Sequence, residues 1–229
     1  MNDRHEPPKP SLGDAAHAIA RAGLSTVPAI GGPAVELFNT LVTPSLERRR
    51  IRWMEDVASA LRQLEDARKL SLEDLAANET FVDTVLKASS SAIRNSQEEK
   101  RAALKNAVLN SALAPDLDAT LQEMFLSWID DLTVWHLRIV RLFLDPAAWG
   151  RERGIQYPGT TTRSLAQILE TALPELRGRR ELYDQIWSDL FQRGLVSTER
   201  LQGMMTADGA LARRTTDLGE RFVRFISEP

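Results

Sequence analysis

The sequence predicts a mainly α protein: an N-terminal helical bundle followed by a C-terminal module with a small β-ribbon. Three observations carry this. Apolar residues recur at steps of three and four through almost every long segment, the pattern of helices with one buried stripe. Helix-capping residues stand at the starts of those segments. Only the last third departs from helical period: Leu195-Val196 opens an extended piece, and Asp208-Gly209 reads as a turn between short strands at 201–206 and 210–216. The 229 residues, 43% apolar and 27% charged with net charge −3, fit one large domain or two small ones with ample material for a core.

The chain opens with a polar, proline-rich stretch, 1–10, in which Pro7, Pro8 and Pro10 forbid a helix. It lacks the layout of a signal peptide and is expected to be a mobile tail. Residues 22–46 carry one charge, Glu36, and lead into Glu47, Arg48, Arg49, Arg50 and Arg52. The length would allow a membrane span, but Pro28, Pro33, Pro44 and Gly31-Gly32 interrupt it. The first expectation is a loop and short helices beneath the bundle, with Pro33 at a helix's first position. The alternative is a segment lying on or entering a membrane, its arginines meeting anionic lipid.

In 47–68, Ile51, Met54, Val57, Ala58, Leu61 and Leu64 form one stripe. Ser71 with Asp74, and then Asn78, cap the next two helices, the second with Phe81, Val82, Val85, Leu86 and Ile93 inward. Ser96 with Glu99 reads as a capping box for an exposed helix start, Glu98-Glu99-Lys100-Arg101, whose small residues further on admit a close neighbour. Pro115 ends that helix, and Asp116 or Asp118 starts another with Leu121, Met124, Phe125, Trp128, Ile129 and Leu132 inward. The run from Trp135 to Leu144 is apolar nearly all round, so it is expected to join two parts of the protein. The core is expected to hold Trp53, Phe81, Phe125, Trp128, Trp135 and Phe143. Pro146, Gly150, Gly154, Pro158 and Gly159 mark a linker.

Thr162 is expected to open a short helix broken by Pro174 and Gly178, before a second from Arg179 to Arg193 with Gly194 just past its end. Leu190-Phe191-Gln192-Arg193-Gly194-Leu195-Val196, the Asp208-Gly209 wing and Thr216-Asp217-Leu218-Gly219 resemble the layout of MarR-like winged-helix regulators. Leu132-Thr133-Val134-Trp135-His136-Leu137 is similar to the first helix of such a module. The resemblance implies a winged-helix-like domain over 132–229, behind a helical bundle at 11–131. The N-terminal half, with its Glu98-Glu99-Lys100-Arg101 helix, is similar to uncharacterised bacterial helical proteins, which names no activity.

With no cysteine the chain has neither disulfide nor thiol nucleophile, and a reducing cytoplasm is the expected location. No phosphate loop or nucleophile elbow is present. His136 sits in an apolar stretch and reads as a satisfied core histidine. Asp14-x-x-His17 has ligand-like spacing but lacks the second pair a di-iron bundle needs. Asp130 and Asp131 are adjacent on a helix and diverge, so capping or pairing with arginine is their expected role. No catalytic residue, metal or cofactor is expected.

The leading functional expectation is a non-enzymatic helical protein-interaction or regulatory protein that uses its winged-helix-like module, with a protein partner or homo-oligomer. One alternative is a DNA-binding transcriptional regulator with Arg179, Arg180, Arg213 and Arg214 on phosphate. Against it, residues 129–229 hold 14 arginines, no lysine and 14 acidic residues, a net charge of zero. The other alternative is a membrane-associated effector acting through residues 22–52, with Arg48, Arg49, Arg50 and Arg52 at the surface.

Overall fold

The computed structural model describes residues 33–67, 69–114 and 118–229. The expectations for 1–10, His5, His17, Gly31-Gly32 and Pro115-Asp116 lie outside them.

The described chain is mainly helical, with one small antiparallel sheet. Helix α1 spans Pro33–Asp66, α2 Leu72–Ala77, α3 Glu79–Arg94, α4 Glu98–Leu113 and α5 Ala119–Asp131. Then come α6 (Val134–Leu142), α7 (Pro146–Arg153), strand β1 (Thr162–Ser164), α8 (Leu165–Ala172) and α9 (Arg180–Gln192). Strand β2 (Met204–Thr206), α10 (Ala207–Leu211) and α11 (Asp217–Phe225) complete the chain.

The expectation of a loop and short helices over 22–46 is corrected from residue 33 onward: α1 runs unbroken to Asp66, with Thr40, Thr43 and Pro44 exposed. Pro33 is its first residue. Pro44 lacks only one donor of the ladder, and the helix persists through it.

The bundle is built from α1, α3, α4 and α5. Alanines 88 and 92 of α3 and 103 and 107 of α4 are fully buried and let those two helices approach closely. Trp53 Nε1 donates to Ser89 Oγ at 2.8 Å, fixing α1 against α3. The predicted stripe of α1 holds except at Ile51, with Val57 buried and Met54 and Leu61 packed on the core, while the predicted face of α3 is rotated. Ile51 is 44% exposed while Trp53 is 3% exposed, and Val82 and Leu86 lie outward while Thr84 and Ser91 are buried. In α3 the reason is polar: Thr84 of α3 and Ser111 of α4 both donate to the Gln122 side-chain oxygen, and Ser91 donates to Asp130. Burying these hydroxyls satisfied turns α3 away from the phase its aliphatics suggest.

The caps at Asn78 and Asp118 are as predicted, each side chain accepting from the backbone N–H three residues on, and Ser71 accepts from Asp74 N without the return bond of a capping box. The Ser96 box is not formed: α4 starts after Gln97 without a side-chain cap, because the Glu99 carboxylate is held by Arg138. Nor is this helix start wholly exposed. Lys100 is 5% exposed and donates to the Asp130 carbonyl at 2.7 Å.

Helix α6 packs against α8, α9 and α11, all of them later in the chain. One contiguous core extends from Trp53 to Ile226. It includes five of the six predicted aromatics, while Trp135 is half-buried beneath the Arg138 guanidinium, 4.8 Å from its ring. Phe125 of α5 meets Phe222 and Phe225 of α11 at ring separations of 5.4 and 5.5 Å, so the last helix belongs to the bundle's core. Its final carbonyls, which a helix end leaves unpaired, accept from Asn106, Asn110 and Arg141.

The predicted linker is partly helical: Asp145 caps α7, and Gly154 ends it in the left-handed region at φ 64°. Thr162 begins strand β1 instead of a helix. Ser164 and Gln167 form a reciprocal capping box that starts α8 three residues later. Gly194 follows α9 at φ 69°, as predicted.

The ribbon has a different make-up from the expected one. Segments 201–206 and 210–216 do not pair with each other. β2 pairs antiparallel with β1, Arg163 opposite Met205, and a separate bridge joins Val196 to Thr215. Asp208-Gly209 lies inside α10, whose cap is Thr206: its hydroxyl oxygen accepts from Gly209 N at 3.1 Å. A threonine cap followed by alanines and a leucine, with Ala210 fully buried, prevails over the turn dipeptide.

Candidate anion-binding surface

Trp53 opposite Ser89 sets the register of two antiparallel helices. Counting five residues each way brings Arg94, the last residue of α3, level with Arg48 of α1. At 1.5 Å per residue, the part of α1 before Arg48 runs about 20 Å past the end of α3.

At that end Ser45, Arg48, Arg49 and Arg52 of α1 converge with Arg101 from the first turn of α4 around a surface hollow of about 250 Å³. No described carboxylate lines it, and none of these arginines forms an ion pair with one. Two are held by backbone oxygens: Arg48 Nε donates to the Pro44 carbonyl at 3.2 Å and Arg101 Nη1 to that of Ser96 at 2.9 Å. Arg50 differs from its neighbours, its side chain 17% exposed and 3.5 Å from Glu47. Of the predicted set Arg48, Arg49, Arg50 and Arg52, the structure therefore brings three together. It adds Arg101, fifty positions away, for which local spacing gives no signal. Guanidinium groups converging on a solvent-open hollow offer forked donors to a phosphate or carboxylate.

The arginines predicted for nucleic acid are placed otherwise. Arg180 pairs with Asp184 at 3.2 Å. Arg213 is held by Asp217 at 2.9 Å and by Glu220. Arg214 is half-buried, donating to the Gly209 carbonyl and lying 3.0 Å from the Met205 sulfur. Arg179 is exposed at the start of α9.

The remaining polar clusters are internally paired. His136 is 6% exposed. Its Nδ1 accepts from Thr133 N at 3.2 Å, leaving Nε2–H to donate to Asp189 at 3.3 Å. Burial lowers its pKa below the ordinary histidine value, against the opposing pull of Asp189. Asp130 accepts from Ser91 and Arg94, and the Ser91 bond leads in holding its pKa low. Asp131 lies 3.7 Å from Arg193. The two aspartates thus pair separately, as their adjacent helical positions predict. A wider hollow of about 420 Å³ is lined by Gln97, Glu98, Glu99, Val134, Trp135 and Arg138. There Arg138 is bound to Glu99.

Among the described residues no cluster of histidine and carboxylate groups could hold a metal ion, and no helix is long and apolar enough to cross a membrane. No family model, curated protein or solved structure matches the chain.

Proposed function

We propose that the chain works by binding rather than by catalysis, docking an anionic partner surface against Arg48, Arg49, Arg52 and Arg101. The observation that carries this is the hollow itself: guanidinium groups from two helices gathered without a described carboxylate to neutralise them. Like charges lining one hollow oppose the arrangement, by about 1 kcal/mol for a pair about 4 Å apart in water, and a bound anion reverses that sign.

In this proposal residues 132–229 are a winged-helix-like module that serves as a structural and regulatory end. Support comes from the antiparallel pairing of 162–164 with 204–206, which bracket α8 and α9 in the sequence, and from the Val196–Thr215 bridge that closes segment 197–214. The DNA-binding reading has less support, because Arg180, Arg213 and Arg214 already have intramolecular partners.

The test is titration of a fluorescent inorganic polyphosphate at increasing salt. The parent is expected to bind with affinity that falls as salt rises. The variant Arg48→Gln/Arg49→Gln/Arg52→Gln should lose at least tenfold, and Arg179→Gln/Arg180→Gln should bind as the parent does. A parent that does not bind, or a triple variant that binds equally well, overturns the proposal.

A further inference from the structure

Resting on that reading of the arginine hollow, we propose that the anionic surface is the headgroup layer of a phospholipid bilayer. The overhanging amino-terminal part of α1 would lie in the interface beside the arginines. The juxtaposition is specific. Residues 33–46 contain one charged residue, Glu36, and the structure carries them as helix past the end of α3. They run straight into the turn that bears Arg48, Arg49 and Arg52. A weakly charged helical stretch abutting a cationic cluster is the layout of interfacial helices, whose arginines meet lipid phosphates while the apolar part enters the acyl boundary.

The exposed side of α1 has the same mixed character. Pro44, Arg48, Ile51 and Arg52 fall at i, i+4, i+7 and i+8, one face of a 3.6-residue helix, and all four are exposed. Ile51, at 44% exposure, is a large aliphatic set between two arginines that form no ion pair with a described carboxylate, opposite the buried Trp53. An acidic protein partner would satisfy the guanidinium groups but would leave the weakly charged overhang unexplained. A bilayer accommodates both. Because no described helix can span a membrane, the proposal is a surface attachment.

The experiment is co-sedimentation of the full chain with vesicles of phosphatidylcholine containing a quarter phosphatidylglycerol, with pure phosphatidylcholine vesicles as the neutral arm. Expected is binding to the anionic vesicles only, weakened by salt. Arg48→Gln/Arg49→Gln/Arg52→Gln should reduce binding at least tenfold. Ile51→Ser leaves the charge unchanged and should reduce it about fivefold, as an apolar side chain no longer enters the interface. Thermal melts of both variants establish that they are folded, since every substituted side chain is outside the core. Polyphosphate binding without vesicle binding overturns the membrane proposal and leaves the anion-docking function standing. Binding to polyglutamate but not to vesicles does the same and assigns an acidic protein partner. Loss of both polyphosphate and vesicle binding defeats both readings. Vesicle binding unaffected by Ile51→Ser and by the arginine variant also overturns the proposal.

Discussion

Gly219 tests the packing account of the C-terminal module most sharply. It sits in the first turn of α11, buried, where a Cβ would lie 2.1 Å from the Leu195 carbonyl oxygen and 3.2 Å from Thr215 Cβ. An ordinary carbon–oxygen contact needs about 3.3 Å, so Gly219→Ala requires about 1.2 Å of backbone movement. That movement cannot be local. The Leu195 oxygen accepts from Thr216 N at 3.1 Å, and the neighbouring pair Val196–Thr215 forms the bridge. The Thr216 side chain also caps α11 by accepting from Gly219 N at 2.9 Å. Overpacking of this kind costs about 3 kcal/mol, and a lost hydrogen bond about 1 more. Alanine's better helix propensity returns about 1 kcal/mol, which leaves a net loss of about 3. For a chain of this size that is a fall of about 6–12 °C in melting temperature. Calorimetry or urea titration reads it directly, with Gly203→Ala as a control, since a Cβ there meets nothing within 4 Å. A Gly219→Ala protein as stable as its parent would refute the claim that α11 is packed against backbone at this point.

Asn110 and His136 carry the other predictions. The Asn110 amide donates to the carbonyls of Arg224, Phe225 and Ser227, so Asn110→Leu should remove the side-chain donor from two part-buried acceptors, Phe225 and Ser227, and cost about 1–2 kcal/mol. Hydrogen exchange should rise over 217–227 while α3 and α4 keep their protection; uniform protection would contradict this. His136 is held neutral by burial, so its folded pKa lies below its unfolded value of about 6.5. Its contribution is fully present above that value and is lost as pH falls, because the unfolded chain takes the proton first, with a slope of at most about 1.4 kcal/mol per pH unit. Urea midpoints between pH 7 and 5 should fall in the parent and fall less in His136→Gln; equal slopes would refute the assignment.

What was legible in the sequence was what is local along the chain. The caps at Ser71, Asn78 and Asp118 act three residues away, and Gly194 closes its own helix. Helix phase was less legible, because Thr84 and Ser91 are buried by partners on α5, 38 and 39 positions on. The turn reading of Asp208-Gly209 lost to Thr206, an equally local signal of the opposite kind. The arginine hollow shows why charge counts mislead. Residues 129–229 are neutral by count, and much of that neutrality is realised pair by pair, Arg180 with Asp184, Arg193 with Asp131, Arg213 with Asp217. A chain of net charge −3 nonetheless gathers Arg48, Arg49, Arg52 and Arg101 around one hollow. Arg52 even has Glu55 and Asp56 within a helical turn, yet no ion pair forms between them, because the arginine faces the hollow. Counterion release and lipid attraction respond to the local potential within about a Debye length, some 10 Å at ordinary salt, and not to the sum over the chain. The arginine hollow therefore lies in the half of the protein whose total charge is negative, while the arginines of 132–229 are largely engaged in intramolecular pairs and hydrogen bonds.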